Sequence, residues 1–310
     1  MEKKRNPINW SDKRYKQKLV EQRKHMWHKD TVDKLADWMG LKSGMTGVDV
    51  GCGLGFLGYT FWPYFGDGGH YIGIDISAKL LRDSSMASRD WASGGDAGFV
   101  NADTYRLPLA DNSVDLAMCQ TLLMHLTRPR NALAELTRIT KPSGLVICIE
   151  PDNLSSELIK RNWSLPELST DELLLFFKIT LVSNKGRIKL GRGDNSIGIK
   201  VTHMMSELGL VDIDARQNDT VWFTEPPYEG EVQQYRLKMA KRNFLDEKYY
   251  KFFRKKEREE FLAGGGDPKD FDRYVEISDR LRPIAKEQFD KGEFYGCGSN
   301  DFYTIKGKKP

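Results

Sequence analysis

VDVGCGLGFLG, residues 48–58, is a short apolar strand that empties into glycines and then becomes apolar again. Glycines at a strand end let the backbone pass close to a ligand without Cβ clashes, and the helix that follows offers free N–H groups at its start. Gly53, Gly55 and Gly58 satisfy the G-x-G-x-x-G spacing of nucleotide-binding loops. A glycine turn after a strand can also serve packing alone, so the motif by itself leaves both readings open. The next apolar run, HYIGID at 70–75, ends in Asp75 at the distance expected of an acid that accepts bonds from ribose hydroxyls. Asp75-Ile76-Ser77 could instead simply open the next helix, with Ser77 as its N-cap. Together the two signals favour a bound nucleotide.

Outward from this centre the chain alternates between the two periods. Towards the N-terminus, residues 12–40 have helical spacing through Leu19, His25, Trp27, Val32, Leu35, Ala36 and Met39. Towards the C-terminus, a helix from about Leu54 to Trp62 ends near Pro63. A second helix follows Ser77, with Leu80, Leu81, Ser84, Ala87 and Trp91 on one face. AGFVNAD and VDLAMCQ read as strands, Thr127 and Pro129 open a helix with Ala132, Leu133, Leu136 and Ile139 inward, and LVICIE is a fifth strand. Strand and helix in this rhythm imply parallel pairing through right-handed crossovers, hence a doubly wound sheet. Beyond residue 152 the pattern loosens. ELLLFFKITLV is an apolar helical segment, Ser196 to Leu208 a helix closed by Gly209, VDIDARQNDTVWF a strand, 229–292 charged and helical, and CGSNDFYTIKGK a last strand.

Composition narrows the class. The 310 residues carry a net charge of +4, four cysteines without a C-x-x-C pair, and no apolar run near the roughly 20 residues that span a bilayer. No secretory leader is visible, so the chain reads as cytoplasmic, without a metal site or disulfide framework. Residues 1–30 hold ten Lys/Arg against four Asp/Glu, an arm that fits either an anionic partner or a solvated helix face. Nucleic acid is the less favoured partner, because no sequence-specific RNA module accompanies the arm.

The combination from residue 43 to 152 resembles the class I S-adenosylmethionine-dependent methyltransferases, closest in motifs to the ubiquinone/menaquinone-biosynthesis type. Asp49 before Gly51-Cys52-Gly53-Leu54-Gly55 is similar to that family's first motif and Asp75 to its second-strand acid. NADTYRLPLADNSVDLAMCQTLLMHLTRP and ALAELTRITKPSGLVICIEPD run like its third motif through its fifth strand. Many relatives carry a His-His pair where this chain has Met124-His125. The resemblance implies an α/β fold, a Rossmann-like, doubly wound, mostly parallel seven-stranded sheet with helical insertions forming a lid. It implies S-adenosyl-L-methionine as cofactor, with Gly51, Cys52 and Gly53 beneath the methionine part. Asp75 would hold the ribose, Ile76 would pack on adenine, Asp103 and Thr104 would lie at the adenine amino group, and Gln120 would face the methionine.

Methyl transfer from a sulfonium is an in-line displacement, so holding the acceptor against the methyl group can supply most of the rate. A base is needed only where the acceptor must lose a proton. His125 and Glu150, both at the carboxyl edge of the sheet, are the candidates, and a structural role is open for each. Tyr15 and Trp27 could fold over the sulfonium by cation–π contact, or simply pack. The expected organisation is an N-terminal helical arm (1–42), the cofactor-binding core (43–152), a helical lid insertion (153–195), a helix and strand returning to the core (196–226), a second helical insertion (227–292) and a final strand (293–310). The aromatic residues of the insertions, among them Trp163, Phe176, Phe244, Tyr250, Phe252 and Phe253, suit an apolar or aromatic small-molecule acceptor. S-adenosylhomocysteine would be the product. An RNA or protein methyltransferase is the alternative, ahead of a nicotinamide oxidoreductase or a non-catalytic cofactor-binding subunit.

Overall fold

The computed structural model describes Val20, Arg23, residues 26–159 and residues 164–310. Its centre is a seven-stranded sheet built from β1 (Thr46–Val50), β2 (His70–Asp75), β3 (Asp96–Asn101), β4 (Val114–Gln120), β5 (Thr140–Pro151), β6 (Val211–Gln217) and β9 (Phe302–Lys308), in the order β3-β2-β1-β4-β5-β9-β6. The five leading strands pair in parallel, and β9 runs antiparallel between β5 and β6. The chain winds from β1 out to β3 and returns to β4 beside β1. That reversal of direction opens a crevice at the carboxyl ends of β1, β2 and β4.

Both faces of the sheet are covered. Val48 and Val50 belong to one buried cluster with Leu133 and Leu136 of α4 (Pro129–Ile139) and Val201 and Met205 of α7 (Gly198–Glu207). On the other face Leu116, Met118, Ile147 and Ile149 meet α1 (Lys29–Met39) and α2 (Phe56–Phe65) through Leu35, Met39, Phe61 and Phe65. Each such buried side chain contributes about 1.5–3 kcal/mol, enough for the sheet to hold its crevice open on a rigid base. Helix α2 runs on past Pro63 to Phe65 rather than stopping near it. The ring removes one helical hydrogen bond, and the fully buried Phe65 offsets that loss. Ser77 caps α3 (Ala78–Ser88), its hydroxyl accepting from Leu80 N at 3.4 Å.

Two stretches read as single strands each divide in two. VDIDARQNDTVWF gives β6 and β7 (Val221–Thr224), and CGSNDFYTIKGK gives β8 (Gly296–Ser299) and β9. β7 pairs only with β8, in a separate two-stranded ribbon. Both breaks fall at an Asn-Asp pair, Asn218-Asp219 and Asn300-Asp301, residue types that leave extended structure easily.

Beyond α5 (Asn153–Ile159), helices α6 (Thr170–Lys189), α9 (Glu247–Gly264) and α10 (Pro268–Lys291) share a small core of their own, including Leu175, Ile179, Phe261, Phe271 and Tyr274. Phe176 packs against that cluster, and Phe244 of α8 (Glu231–Leu245) packs against Phe289 and Phe294. Tyr250 lies beneath the guanidinium groups of Arg254 and Arg282, while Phe252 and Phe253 are exposed. These aromatic residues therefore pack the helices or face solvent. Trp163 lies outside the described residues. Among the described residues no helix is long and apolar enough to cross a membrane.

Candidate cofactor and active site

The glycine loop leaves β1 through three left-handed residues, Gly51 at φ 73°, Gly53 at φ 55° and Gly55 at φ 77°. A side chain at Gly51 would strike Leu122, whereas one at Gly53 would meet nothing within 4 Å. The loop is thus packed beneath at Gly51 and open above at Gly53, a cradle only a glycine backbone forms at this φ. Cys52 is buried under the loop, with its thiol against β2 at Gly73, so its main chain rather than its sulfur borders the cradle.

Asp75 spans the loop and the next helix. Its carboxylate accepts from Gly53 N at 3.0 Å and from Ser77 N at 2.8 Å. Burial raises its pKa, and these two donors oppose the rise. Each oxygen retains a lone pair for a further donor. Beside it Ile76 leaves 74% of its surface in solvent, a large apolar side chain at the rim of a polar crevice. Across the rim Asp103 accepts from Tyr105 N at 2.9 Å, and the Thr104 hydroxyl is buried without a partner. An open glycine cradle, an exposed apolar plate and an orphaned hydroxyl fit an adenosine-bearing ligand along this edge.

At the deeper end the structure assembles charges that no local motif announces. Asp49 is buried and accepts from the Tyr71 hydroxyl at 2.8 Å, and burial pushes its pKa up to about 7. Glu150 is also fully buried and pushed up to about 7 by burial. Its Oε1 accepts from Leu122 N and Leu123 N at 2.9 and 2.8 Å, and its Oε2 from Met124 N at 3.2 Å. Those three bonds fix the turn after β4, which includes Thr121 at φ 48° and the single 3-10 turn Leu123–His125. Glu150 thus stands as the anchor of the crevice floor.

Between the two carboxylates lies Arg23, a residue the sequence reading missed. Its guanidinium donates to Thr121 Oγ1 at 2.5 Å and to Met26 Sδ at 3.3 Å. Burial lowers its pKa to about 10, against the pull of Glu150 and Asp49. Gln120, at the end of β4, donates from Nε2 to Met26 Sδ at 2.9 Å. Arg23 and Met26 therefore lie against the carboxyl end of β4. Trp27 packs on Phe61 instead of over the cradle, and Tyr15 lies outside the described residues. Nothing local distinguishes Arg23 from the other basic residues of the arm.

His125 is held neutral. Burial and the nearby charges of Arg187, Lys256 and Arg23 lower its pKa to about 4. Two of those cations belong to α6 and α9, so the outer helices reach the crevice mouth. The loop after α6 docks there as well: at Gly193 a Cβ would lie 2.1 Å from the Met124 carbonyl oxygen. Arg187 and Arg192 converge on the buried Glu260 at 3.4 and 3.2 Å, tying that loop to α9.

Comparison with known proteins agrees with this geometry. Residues 48–148 match a methyltransferase domain family. An uncharacterized methyltransferase of Schizosaccharomyces pombe is 37% identical over 114 residues, 35% of this chain and 41% of that protein. A demethylmenaquinone methyltransferase of Staphylococcus aureus is 30% identical over 138 residues, 44% of this chain and 56% of the relative. The ubiquinone/menaquinone biosynthesis C-methyltransferase of Hahella chejuensis is 26% identical over 149 residues, covering 48% and 58%. The chain thus spans about half the length of the curated relatives it matches. Among solved structures, a Haemonchus contortus phosphoethanolamine N-methyltransferase superposes with a TM-score of 0.51 at 14% identity, over 97% of this chain and 59% of that one, and shares the fold. A protein of Bacillus halodurans taken for a methyltransferase gives the same TM-score and identity over 90% and 98%. Residues 48–148 are accordingly a class I S-adenosylmethionine-dependent methyltransferase domain, related to the ubiquinone/menaquinone-biosynthesis type.

Proposed function

We propose that the chain transfers the methyl group of S-adenosyl-L-methionine to a small-molecule acceptor beneath the outer helices, releasing S-adenosylhomocysteine. The observation that carries this reading is the open cradle at Gly53 beside Asp75, flanked by the solvent-exposed Ile76. The sulfonium of the cofactor supplies an activated methyl group. Asp75 accepts from the ribose hydroxyls, Ile76 covers adenine, and Asp103 with Thr104 closes the adenine edge. Arg23 meets the methionine carboxylate, and Asp49 with Gln120 faces its ammonium group. A zwitterion would bring an opposite charge to each of the buried cation and the buried carboxylate, offsetting the burial that depresses one pKa and raises the other.

Rate then arises chiefly from holding the acceptor in line with the methyl group and excluding water under the lid of α6 and α9. His125 stays an uncharged imidazole near neutral pH at the mouth of the crevice. With a pKa near 4 it retains a transferred proton poorly, so its part is orientation before proton removal. Glu150, with both oxygens engaged by main-chain donors, positions the floor.

The quinone-biosynthesis names of the relatives support a small, ring-bearing acceptor. Those matches cover the cofactor half, however, and the acceptor is chosen by the lid. The test pairs calorimetry with S-adenosylhomocysteine and a screen for methyl transfer from labelled S-adenosylmethionine to phenols, quinols, amines and carboxylate-bearing rings. Cofactor binding with transfer to one acceptor class is the expected result. Tight NAD binding with no heat from S-adenosylhomocysteine would end the reading.

A further inference from the structure

The ribbon and the helix that follows it hold a cation with no counter-ion among the described residues. Arg236 on α8 places its guanidinium 5.1 Å from the ring of Trp222 and 5.6 Å from that of Tyr235. Its Nε–H is buried and has no hydrogen-bond partner, and neither has the buried indole Nε1–H of Trp222. Among the described residues no carboxylate forms a salt bridge with this guanidinium. Cation–π contact contributes at most about 2 kcal/mol and leaves N–H donors unsatisfied. Two buried donors from adjacent side chains, one of them charged, lack an acceptor among the described residues.

The position of the pair links it to the crevice. Thr220, two residues before Trp222, donates from its hydroxyl to the Met26 carbonyl at 2.8 Å, and Met26 meets Gln120 through its sulfur. Along the ribbon Val221 and Phe223 are exposed, while Trp222 and Thr224 lie on the inward side. Thr220 and Trp222, two apart on extended chain, share a side and are separated by about 7 Å. The donor pair therefore sits one strand repeat from the segment that lies against the carboxyl end of β4.

We infer that Trp222 and Arg236 recognise an oxyanion, a carboxylate or phosphate, carried by the methyl acceptor. This rests on the methyltransferase reading and specifies its substrate class. The guanidinium supplies charge and a donor, the indole supplies a second donor, and the two rings exclude water around the pair. An acceptor anchored there by its anionic end extends its nucleophilic atom towards the crevice.

The test follows the Trp222 indole N–H by ¹⁵N–¹H NMR on the full chain saturated with S-adenosylhomocysteine, the resonance being assigned with Trp222→Phe. Inorganic phosphate and benzoate are titrated separately at constant ionic strength. The expected result is a saturable downfield shift with a midpoint on the order of 1–10 mM for at least one anion, the range for a single small ion on one charged clamp. Which anion saturates distinguishes phosphate from carboxylate. The shift should vanish in Arg236→Met and weaken in Arg236→Lys, with S-adenosylhomocysteine affinity unchanged in both. No saturable shift with either anion up to roughly 50 mM, or an equal shift in Arg236→Met, overturns the inference. Because S-adenosylhomocysteine binding is measured in the same samples, its absence would instead strike the methyltransferase reading.

Discussion

The glycine loop and the turn after β4 hold their carboxylates differently from the outer helices. Around the cofactor site single carboxylates are stabilised by main-chain N–H groups: Asp75 by the glycine loop and Ser77, Glu150 by the turn after β4. In the outer helices charge meets charge, as where Arg187 and Arg192 share Glu260, and where Arg254 pairs with Glu257 at 2.5 Å. Main-chain donors are fixed by the fold and do not move when a ligand arrives, which suits a site that must present its acceptors in one geometry. Side-chain pairs can separate and re-form, which suits helices that close over an acceptor. On the proposed function, the first arrangement would preorganise the cofactor site and the second would govern access.

The largest effect expected from breaking this contrast is at Glu150. Glu150→Ala leaves three buried N–H groups without an acceptor, each worth about 1–3 kcal/mol. Urea denaturation should show a loss of several kcal/mol, and cofactor binding should disappear with the turn. Glu150→Gln, which keeps one acceptor oxygen, should recover part of that loss. In the outer helices Glu260→Ala exposes two arginines to each other and should cost about 3–5 kcal/mol locally. Hydrogen exchange should then rise in α6 and α9 while the affinity for S-adenosylhomocysteine stays within a few-fold. An equal collapse of cofactor affinity in Glu260→Ala would show that the two regions are one cooperative unit.

Substitution of the proposed ligand contacts sharpens the comparison on a smaller scale. Arg23→Met should weaken S-adenosylhomocysteine by about 1.5–3 kcal/mol, the range for bonds to a charged group. Asp103→Ala should cost less, since its carboxylate already serves the Tyr105 N–H and lies exposed.

Stability against pH separates the same groups. Asp49 and Glu150 carry folded pKa values near 7, above their unfolded values, so their contribution is greatest in acid and is lost as pH rises through about 7. His125 works in the opposite direction. Its folded pKa near 4 lies below the unfolded value, so its contribution is present above about 6.5 and is lost as pH falls towards 4. Asp49→Asn should remove part of the decline between pH 4 and 7 in the ligand-free protein, and His125→Asn part of the opposing rise. Denaturation midpoints across that window check both signs. On turnover, His125→Asn should slow transfer by no more than roughly ten-fold, below the 10²–10⁴ of a positioned general base.

Much of the cofactor half was legible in the sequence because its requirements are local. The glycine loop must adopt positive φ at fixed positions, and Asp75 must follow a strand. The alternation of strands and helices implied parallel pairing through β5, and the resemblance implied the seven-stranded sheet, while the strand order itself came from the structure. Arg23 was not legible, since its role depends on a chain reversal that brings it to Thr121, 98 residues away. Glu150 showed only as an acid at a strand end, and its three main-chain partners arise from a turn 26–28 residues earlier. The two-stranded ribbon was hidden because β7 and β8 each lie in a continuous extended run, broken only by an Asn-Asp pair. The aromatic residues of the insertions suggested an acceptor pocket, but tertiary packing uses several of them as the core of the outer helices.

The most direct measurement is calorimetry of S-adenosylhomocysteine with the wild-type chain and with Asp75→Ala, each checked for intact fold by circular dichroism. The account predicts binding to the wild type and an affinity roughly 10- to 150-fold lower in Asp75→Ala, from the loss of bonds worth about 1.5–3 kcal/mol. Unchanged affinity in a folded Asp75→Ala would reduce Asp75 to a link between the loop and α3 and contradict the placement of the cofactor.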